Sequence, residues 1–407
     1  MKFVIAPDSF KGCMTAKQAA DAMREGLRRV FPDAEYVMVP MADGGEGTVQ
    51  SLVDATGGTL RQATVLDPLQ RETVAEYGLL GNDAASGTGI AVKVTGDAAE
   101  DDTTPAAPVA VIEMSAASGI QFVNDDTKNP LVTTTYGTGQ LIRAALDDGA
   151  RTIILGVGGS ATNDGGAGMA EALGVRFLDS AGNPIPRGGG FLDRLARIDV
   201  SGIDPRIAET RILIASDVTN PLVGPTGASA VFGPQKGATP DMVERLDANL
   251  AHYAAIISRD LGIDVAHTPG AGGAGGLGAG LLAFTKSTMR SGVEIVSQTV
   301  RLSDRAVGAD YCFTGEGGID FQTQYGKTPM GVTRAVRSGN PGIGVIALAG
   351  YVGEGIDQLY DLGIDAVFGI VPSAMTLAEA LAEGPANLAR TAENVGRLLA
   401  LRDCKSR

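Results

Sequence analysis

Five acidic residues, Asp8, Asp43, Asp164, Asp217 and Glu316, each stand where an apolar run has just ended and glycines or a helix start follow. A lone carboxylate in that position is ordinarily an N-cap or a turn residue. In an open parallel sheet, ligands bind beyond the carboxyl ends of the strands, so loops far apart in sequence can converge there. Two or three carboxylates in one cleft are what a phosphate-bridging Mg2+ requires. Lys11, Lys236 and Lys327 lie in similar glycine-rich settings and are candidates to meet an anion. For Lys11 and Lys236 the plain alternative is a solvated surface lysine. The chemistry open to such a set is phosphoryl transfer, which asks mainly for positioning and for neutralising charge on the transferred group.

The loops differ in what they offer. In Asp8-Ser9-Phe10-Lys11-Gly12, Ser9 is a candidate cap for the following helix, whose unpaired N–H groups suit an anion. In Gly156 to Gly166, Gly158 and Gly159 let backbone amides approach phosphate oxygens, and Ser160 and Thr162 add hydroxyl donors. The same stretch matches G-x-G-x-x-A after a strand, with Asp179 near the spacing of a dinucleotide-binding fingerprint. A purely structural tight turn is the third reading. Gly326-Lys327-Thr328 ends like a Walker A loop, but Phe321 stands where that motif needs glycine. The run Gly270 to Gly280 reads equally as a loop of amides near a ligand or as a small-residue packing helix. The only histidines, His252 and His267, fall on a helix and in a loop, and no nucleophile elbow or His-Glu-x-x-His pattern is present.

These loops need strands to carry them. Apolar runs predict strands at Phe3–Ala6, Tyr36–Val39, Thr73–Leu80, Ile90–Val94, Val109–Met114, Thr152–Leu155, Arg211–Ala215, Glu294–Val296, Asp310–Phe313, Gly344–Leu348 and Ala366–Ile370. Helical spacing predicts Ala16–Val30, Gln140–Asp148 with Gly149 as its stop, Asp241–Leu261, Thr376–Glu383 and Asn387–Leu401. Gly96 to Pro108 is acidic, rich in Ala, Thr and Pro, and reads as an exposed loop. The β-rich change after Leu60 and the later return to strand–helix alternation predict two α/β units. Residues 1–60 and 286–407 form one discontinuous parallel-sheet domain, and 61–285 form an inserted α/β domain with a mixed sheet.

Composition narrows the partners. The chain has 57 glycines in 407 residues, about twice the usual ~7%, clustered at turns rather than in a repeat. A net charge of −14 disfavours nucleic acid and anionic membranes, yet leaves room for a local basic pocket. Three cysteines without paired spacing predict neither a disulfide framework nor a zinc site. Cys312 reads as a small buried hydrophobe. With no signal peptide and no apolar run near ~18 residues, the reading is a soluble cytoplasmic protein, monomer or homodimer.

In order along the chain, several segments resemble the class I glycerate kinase family. They are APDSFKG at Ala6–Gly12, PMADGGEGT at Pro40–Thr48, YGTGQLI at Tyr136–Ile142 and GVGGSATNDGGAGM at Gly156–Met169. DVTNPLVGPTGAS at Asp217–Ser229, VFGPQKGA at Val231–Ala238, PGAGGAGGLGAG at Pro269–Gly280 and FTGEGGID at Phe313–Asp320 follow. The resemblance spans nearly the whole chain and implies ATP-dependent, Mg2+-requiring phosphorylation of D-glycerate. The product implied is a phosphoglycerate, 2-phosphoglycerate favoured and 3-phosphoglycerate the alternative, since the sequence does not reveal which hydroxyl reacts. It also implies a Rossmann- or flavodoxin-like domain interrupted by a second α/β domain. Under it, Asp43, Asp217 and Glu316 are candidate Mg2+ ligands, and Lys11, Lys236 and Lys327 hold phosphate or the glycerate carboxylate. Asp164 or Asp8 orients the attacking hydroxyl and takes its proton. Two departures stand out: Gly318 where the family carries arginine, and a longer link at 81–108. The rival readings are a nicotinamide-dependent oxidoreductase using Gly156–Ala161 with Asp179, and a periplasmic-type solute-binding protein.

Overall fold

Two sheets organise the chain in the computed structural model, which describes residues 1–81 and 107–403. The expected strand Ile90–Val94, and all but the last two residues of the acidic loop Gly96–Pro108, lie outside the described residues. Strands β1 (Lys2–Ile5) and β2 (Glu35–Met38) come first in the chain. Next are β3 (Thr59–Leu66), β4 (Glu72–Leu79), β5 (Val109–Glu113) and β6 (Thr152–Gly156). Strands β7 (Arg176–Leu178) and β8 (Arg197–Asp199) form a small ribbon. Then come β9 (Arg211–Ala215), β10 (Lys286–Arg290), β11 (Tyr311–Ile319), β12 (Gly344–Val352) and β13 (Ala366–Gly369).

The first sheet has order β13-β12-β11-β1-β2 and every pair is parallel. Phe3, Val4 and Ile5 are wholly buried, as a strand covered on both faces requires. The second sheet, β10-β9-β6-β5-β4-β3, is parallel from β10 to β5 and antiparallel from β5 to β3, hence mixed. Lys286–Arg290, which the sequence reading assigns outside the inserted unit, is an edge strand of this second sheet.

Local chemistry explains most boundaries. Helix α1 (Ala16–Arg28) begins at a Thr15–Gln18 capping box rather than at Ser9, because Phe10 and Met14 pair across an intervening turn. Its stripe Ala16, Ala19, Ala20, Met23 and Leu27 is buried. Helix α2 (Thr48–Thr56) packs on β4 and β5. The expected strand Glu294–Val296 is instead inside a helix, Gly292–Thr299, which buries Val293, Ile295, Val296 and Thr299. A three-residue apolar run has no period long enough to tell strand from helix. One continuous core holds Val4 and Met41 from the first sheet side, Val111, Ile154 and Leu213 from the second sheet, and Val293 and Ile295 between them. That core brings the carboxyl ends of the two sheets together. Among the described residues, no helix is long and apolar enough to cross a membrane.

Candidate active site

The loop after β2 connects the two sheets. Val39 N–H and Met41 N–H bond to Ile5 and Pro7 carbonyls at 2.8 and 2.9 Å, so the chain stays paired beyond the strand end. Asp43 then leaves, its Oδ1 accepting the Gly45 amide at 2.9 Å in an Asx turn. Side chains are missing where this loop meets the second sheet. A Cβ on Gly156 would lie 2.3 Å from the Gly44 carbonyl oxygen, and one on Gly158 would lie 3.0 Å from Gly45 Cα. Gly44 itself, at φ 90°, passes so close to Ala215 that its own Cβ would stand 2.8 Å from that residue's carbonyl oxygen. The loop is thereby wedged against the ends of β6 and β9.

A cleft of about 620 Å³ opens there, with Lys11, Asp43, Glu113, Ser115, Gly158 and Asp217 among its walls. A second cavity of about 280 Å³ is lined by Asp8, Ser9, Gln50 and Asp54 and shares Lys11 and Glu46 with the first. Lys11 therefore stands on the partition between the two.

Charge around Asp43 is concentrated. Burial pushes the Asp8 carboxyl up to about 6, and the negative charge of Asp43 adds to the shift. A hydrogen bond from Thr328, the Ser9 amide and Lys11 oppose it. Glu316 is pushed up to about 7, first by burial; Lys327 pulls it back while Asp8 and Asp43 push further. Burial also raises Asp217, offset by a hydrogen bond with Ser291 and reinforced by Asp43. The charge of Asp43 thus raises three other carboxyls, Asp8, Asp217 and Glu316.

These residues fit a divalent cation in one way and not in another. The donor set is all oxygen, and its mutual repulsion is what a bound cation would relieve. Among the described residues, however, no three His, Cys, Asp or Glu side chains converge at ligand distance. Asp43, Asp217 and Glu316, the candidate Mg2+ ligands, are not drawn together into a ready-made three-carboxylate group. Mg2+ ordinarily keeps waters and takes one or two carboxylates together with substrate phosphates, so a prebuilt cage is not required.

The other expected site residues separate into two groups. Gly158 and Gly159 line the cleft, and Lys327 lies beside Glu316, its Nζ 3.6 Å from Asp320. Asp164, Thr162 and Lys236 come together beneath the loop, away from the cleft. Asp164 is fully buried and accepts hydrogen bonds from the Thr135 amide at 2.8 Å, the Gly166 and Gly168 amides, and the Thr134 and Thr135 hydroxyls. Lys236 Nζ donates to the Thr162 carbonyl at 2.7 Å, and burial pushes this lysine down to about 7. Thr162 turns its hydroxyl inward, and Ser160 bridges to Gly119. The run Gly270–Gly280 is both a turn and a packing helix. Left-handed Ala274, Gly275 and Gly276 lead into it, and a Cβ on Gly275 would lie 1.9 Å from the Thr162 carbonyl oxygen.

The dinucleotide fingerprint lacks its helix. After β6 ends at Gly156, ten non-helical residues, Val157 to Gly166, run before the helix Ala167–Ala172. Asp179 closes its own exposed turn by accepting the Ala181 and Asn183 amides, each at 2.9 Å. The sequence reading also missed cleft residues. Glu113 ends the run Val109–Glu113, so the strand-end rule applied to Asp43 marks it equally. Glu46 and Ser115 carry no such signal.

The model of the glycerate kinase family matches residues 3–400. The glycerate kinase of Halalkalibacterium halodurans is 51% identical over 392 residues, covering 96% of each chain. The glycerate 2-kinase of Escherichia coli is 45% identical over 401 residues, covering 98% of each. In three dimensions the crystal structure of the putative glycerate kinase 2 of Salmonella typhimurium matches with a TM-score of 0.84 at 46% identity, covering 99% of both chains. The chain belongs to the glycerate kinase family.

Proposed function

We propose that this protein transfers the γ-phosphoryl group of ATP to D-glycerate in the cleft beside Asp43, giving 2-phosphoglycerate. The observation that carries the reading is one cleft lined by Asp43, Asp217, Lys11 and the Gly158–Gly159 backbone, with the charge of Asp43 felt by Asp8 and Glu316. Family membership and the names of the relatives agree with it. Asp43 and Asp217, both on the cleft wall, would hold Mg2+ together with phosphate oxygens. Bound there, the ion would neutralise charge on the transferred group. Lys11 pairs with an anionic group of either substrate from the partition between the cavities. Backbone amides of Gly158 and Gly159 approach phosphate where no side chain intervenes. Asp8, pushed up to about 6, is suited to accept the hydroxyl proton near neutral pH. Asp164 and Lys236 support the loop that carries those glycines.

We divide the chain into a discontinuous unit built on the first sheet and an inserted unit built on the second, with Lys286–Arg290 assigned to the insertion. Free Cys13 and Cys312 support placement in the reducing cytoplasm, and we take the working form to be a monomer or homodimer. The test is incubation with D-glycerate and ATP–Mg2+, followed by enolase alone. Immediate enolase turnover identifies 2-phosphoglycerate, whereas a need for phosphoglycerate mutase identifies 3-phosphoglycerate. No ATP consumption with D-glycerate would overturn the kinase reading.

A further inference from the structure

Helix α2 has no side chain of its own to cap it. Its N-cap is Gly47, left-handed at φ 89°, so its first amides need a partner from elsewhere. Glu113, at the carboxyl end of β5 in the other sheet, supplies it. Its Oε1 accepts the Val49 amide at 2.9 Å, and the neighbouring Gly47 and Thr48 amides oppose the rise that burial gives this carboxyl's pKa. The contact crosses 64 residues of sequence. From there a short relay leads to the cleft. Thr48 Oγ1 donates to the Gly45 carbonyl at 2.7 Å, and the Gly45 amide donates to Asp43 Oδ1 at 2.9 Å.

We infer that Glu113 is a positioning residue, a carboxylate from the second sheet that caps α2 and so fixes the orientation of Asp43 in the cleft. The inference rests on the kinase reading for its consequence, not for its geometry. A helix N-terminus behind a glycine-rich loop is otherwise a ready site for phosphate. Here a protein carboxylate already occupies it, so the substrate phosphates are directed to the Gly158–Gly159 side. Glu113 also fastens the two sheets at the point where both contribute to the cleft, because α2 follows a loop of the first sheet and β5 belongs to the second.

The test uses full-length E113A and E113Q. E113A is expected to lower kcat at least about tenfold while KM for ATP and for D-glycerate stays within about threefold, since the residue acts through Asp43. Added acetate, a small carboxylate able to refill the vacated amides, is expected to restore activity at least about threefold in E113A and to leave the parent unchanged. E113Q, which keeps an acceptor oxygen without the charge, should fall between the two. Amide hydrogen exchange at Gly47–Val49 should quicken in E113A, with the strands of both sheets still protected. A kcat within about twofold of the parent, a rise in KM alone, or unaltered exchange at those amides would overturn the inference. If the parent itself consumes no ATP with D-glycerate, the kinase reading fails. The exchange measurement then still decides whether Glu113 holds the loop.

Discussion

A Cβ placed on Gly292 would stand 1.8 Å from the carbonyl oxygen of Asp43. Gly292 opens the helix after β10, and its backbone angle is one any residue adopts, so space rather than conformation demands glycine there. The obstructing atom is backbone, which cannot swing aside as a side chain tip would. G292A must therefore displace the Asp43 loop, and overpacking of this kind costs ~1–3 kcal/mol. Turnover with ATP and D-glycerate is expected to fall at least about tenfold, with a lower melting temperature. G342A is the control: only Asn340 Oδ1, at 3.9 Å, lies near its Cβ, and full activity is expected. Parent-like kcat in G292A would show that the loop position does not matter.

Asp43 lines the cleft and its charge raises three other carboxyls, so it is the charge the proposed chemistry can least lose. D43N is expected to cut kcat more than about a hundredfold, equivalent to ~2.7 kcal/mol of barrier. A loss below about fivefold would remove Asp43 from the catalytic set. D217N, on the same wall, should raise the Mg2+ concentration needed for half-maximal turnover about tenfold, read by titrating Mg2+ at saturating ATP. A Mg2+ dependence identical to the parent's would exclude Asp217 as a ligand.

Much of this arrangement was legible in the residues. Alternating strands and helices, the buried run Phe3–Ile5 and the face of Asp241–Leu261 follow from periodicity, and the structure reproduces them with small boundary changes. Strand-end position marked Asp43 and Asp217 among five acids, and these two line one cleft. It could not separate them from Asp164, because a carboxylate satisfied by surrounding amides and hydroxyls has the same neighbours in sequence as one open to a ligand. Nor could it reveal that Gly156, Gly158 and Gly292 are small to admit a loop from the other sheet, since that requirement arises between segments more than a hundred residues apart. The short helix Gly292–Thr299 was misread for a local reason, an apolar run too brief to show its period.

The burial and hydrogen bonds of Asp164 predict that its main contribution is to stability. It accepts from the Thr135, Gly166 and Gly168 amides and from two threonine hydroxyls, and D164N would turn an amide NH2 toward donors. At least one or two of those donors lose their partner, at ~1–3 kcal/mol each. The expected outcome is a clear fall in the urea midpoint, with kcat of the folded fraction within about fivefold of the parent. Unchanged stability with a hundredfold loss of turnover, on the order of 2.7 kcal/mol, would return Asp164 to the reacting groups.

Lys236 gives the fold a pH dependence of definite sign. Burial holds its ammonium down to about 7 from an ordinary 10.5, with Asp164 pulling the other way. Below about 7 the folded and unfolded chains both carry the proton, so this lysine adds no slope. Between about 7 and 10.5 the unfolded chain keeps a proton that the folded chain has released, and stability rises with pH. Asp164, pushed up by burial, acts with the opposite slope on the acid side, where the folded state retains the proton longer. Tyr253, raised by the same burial, stays neutral throughout the window. K236M removes the titrating group while filling its apolar stem. The difference in melting temperature between parent and K236M should therefore shift in the parent's favour as pH is raised from about 7 towards 10. A difference that stays flat over that range would mean that Lys236 keeps its proton in the folded state throughout it.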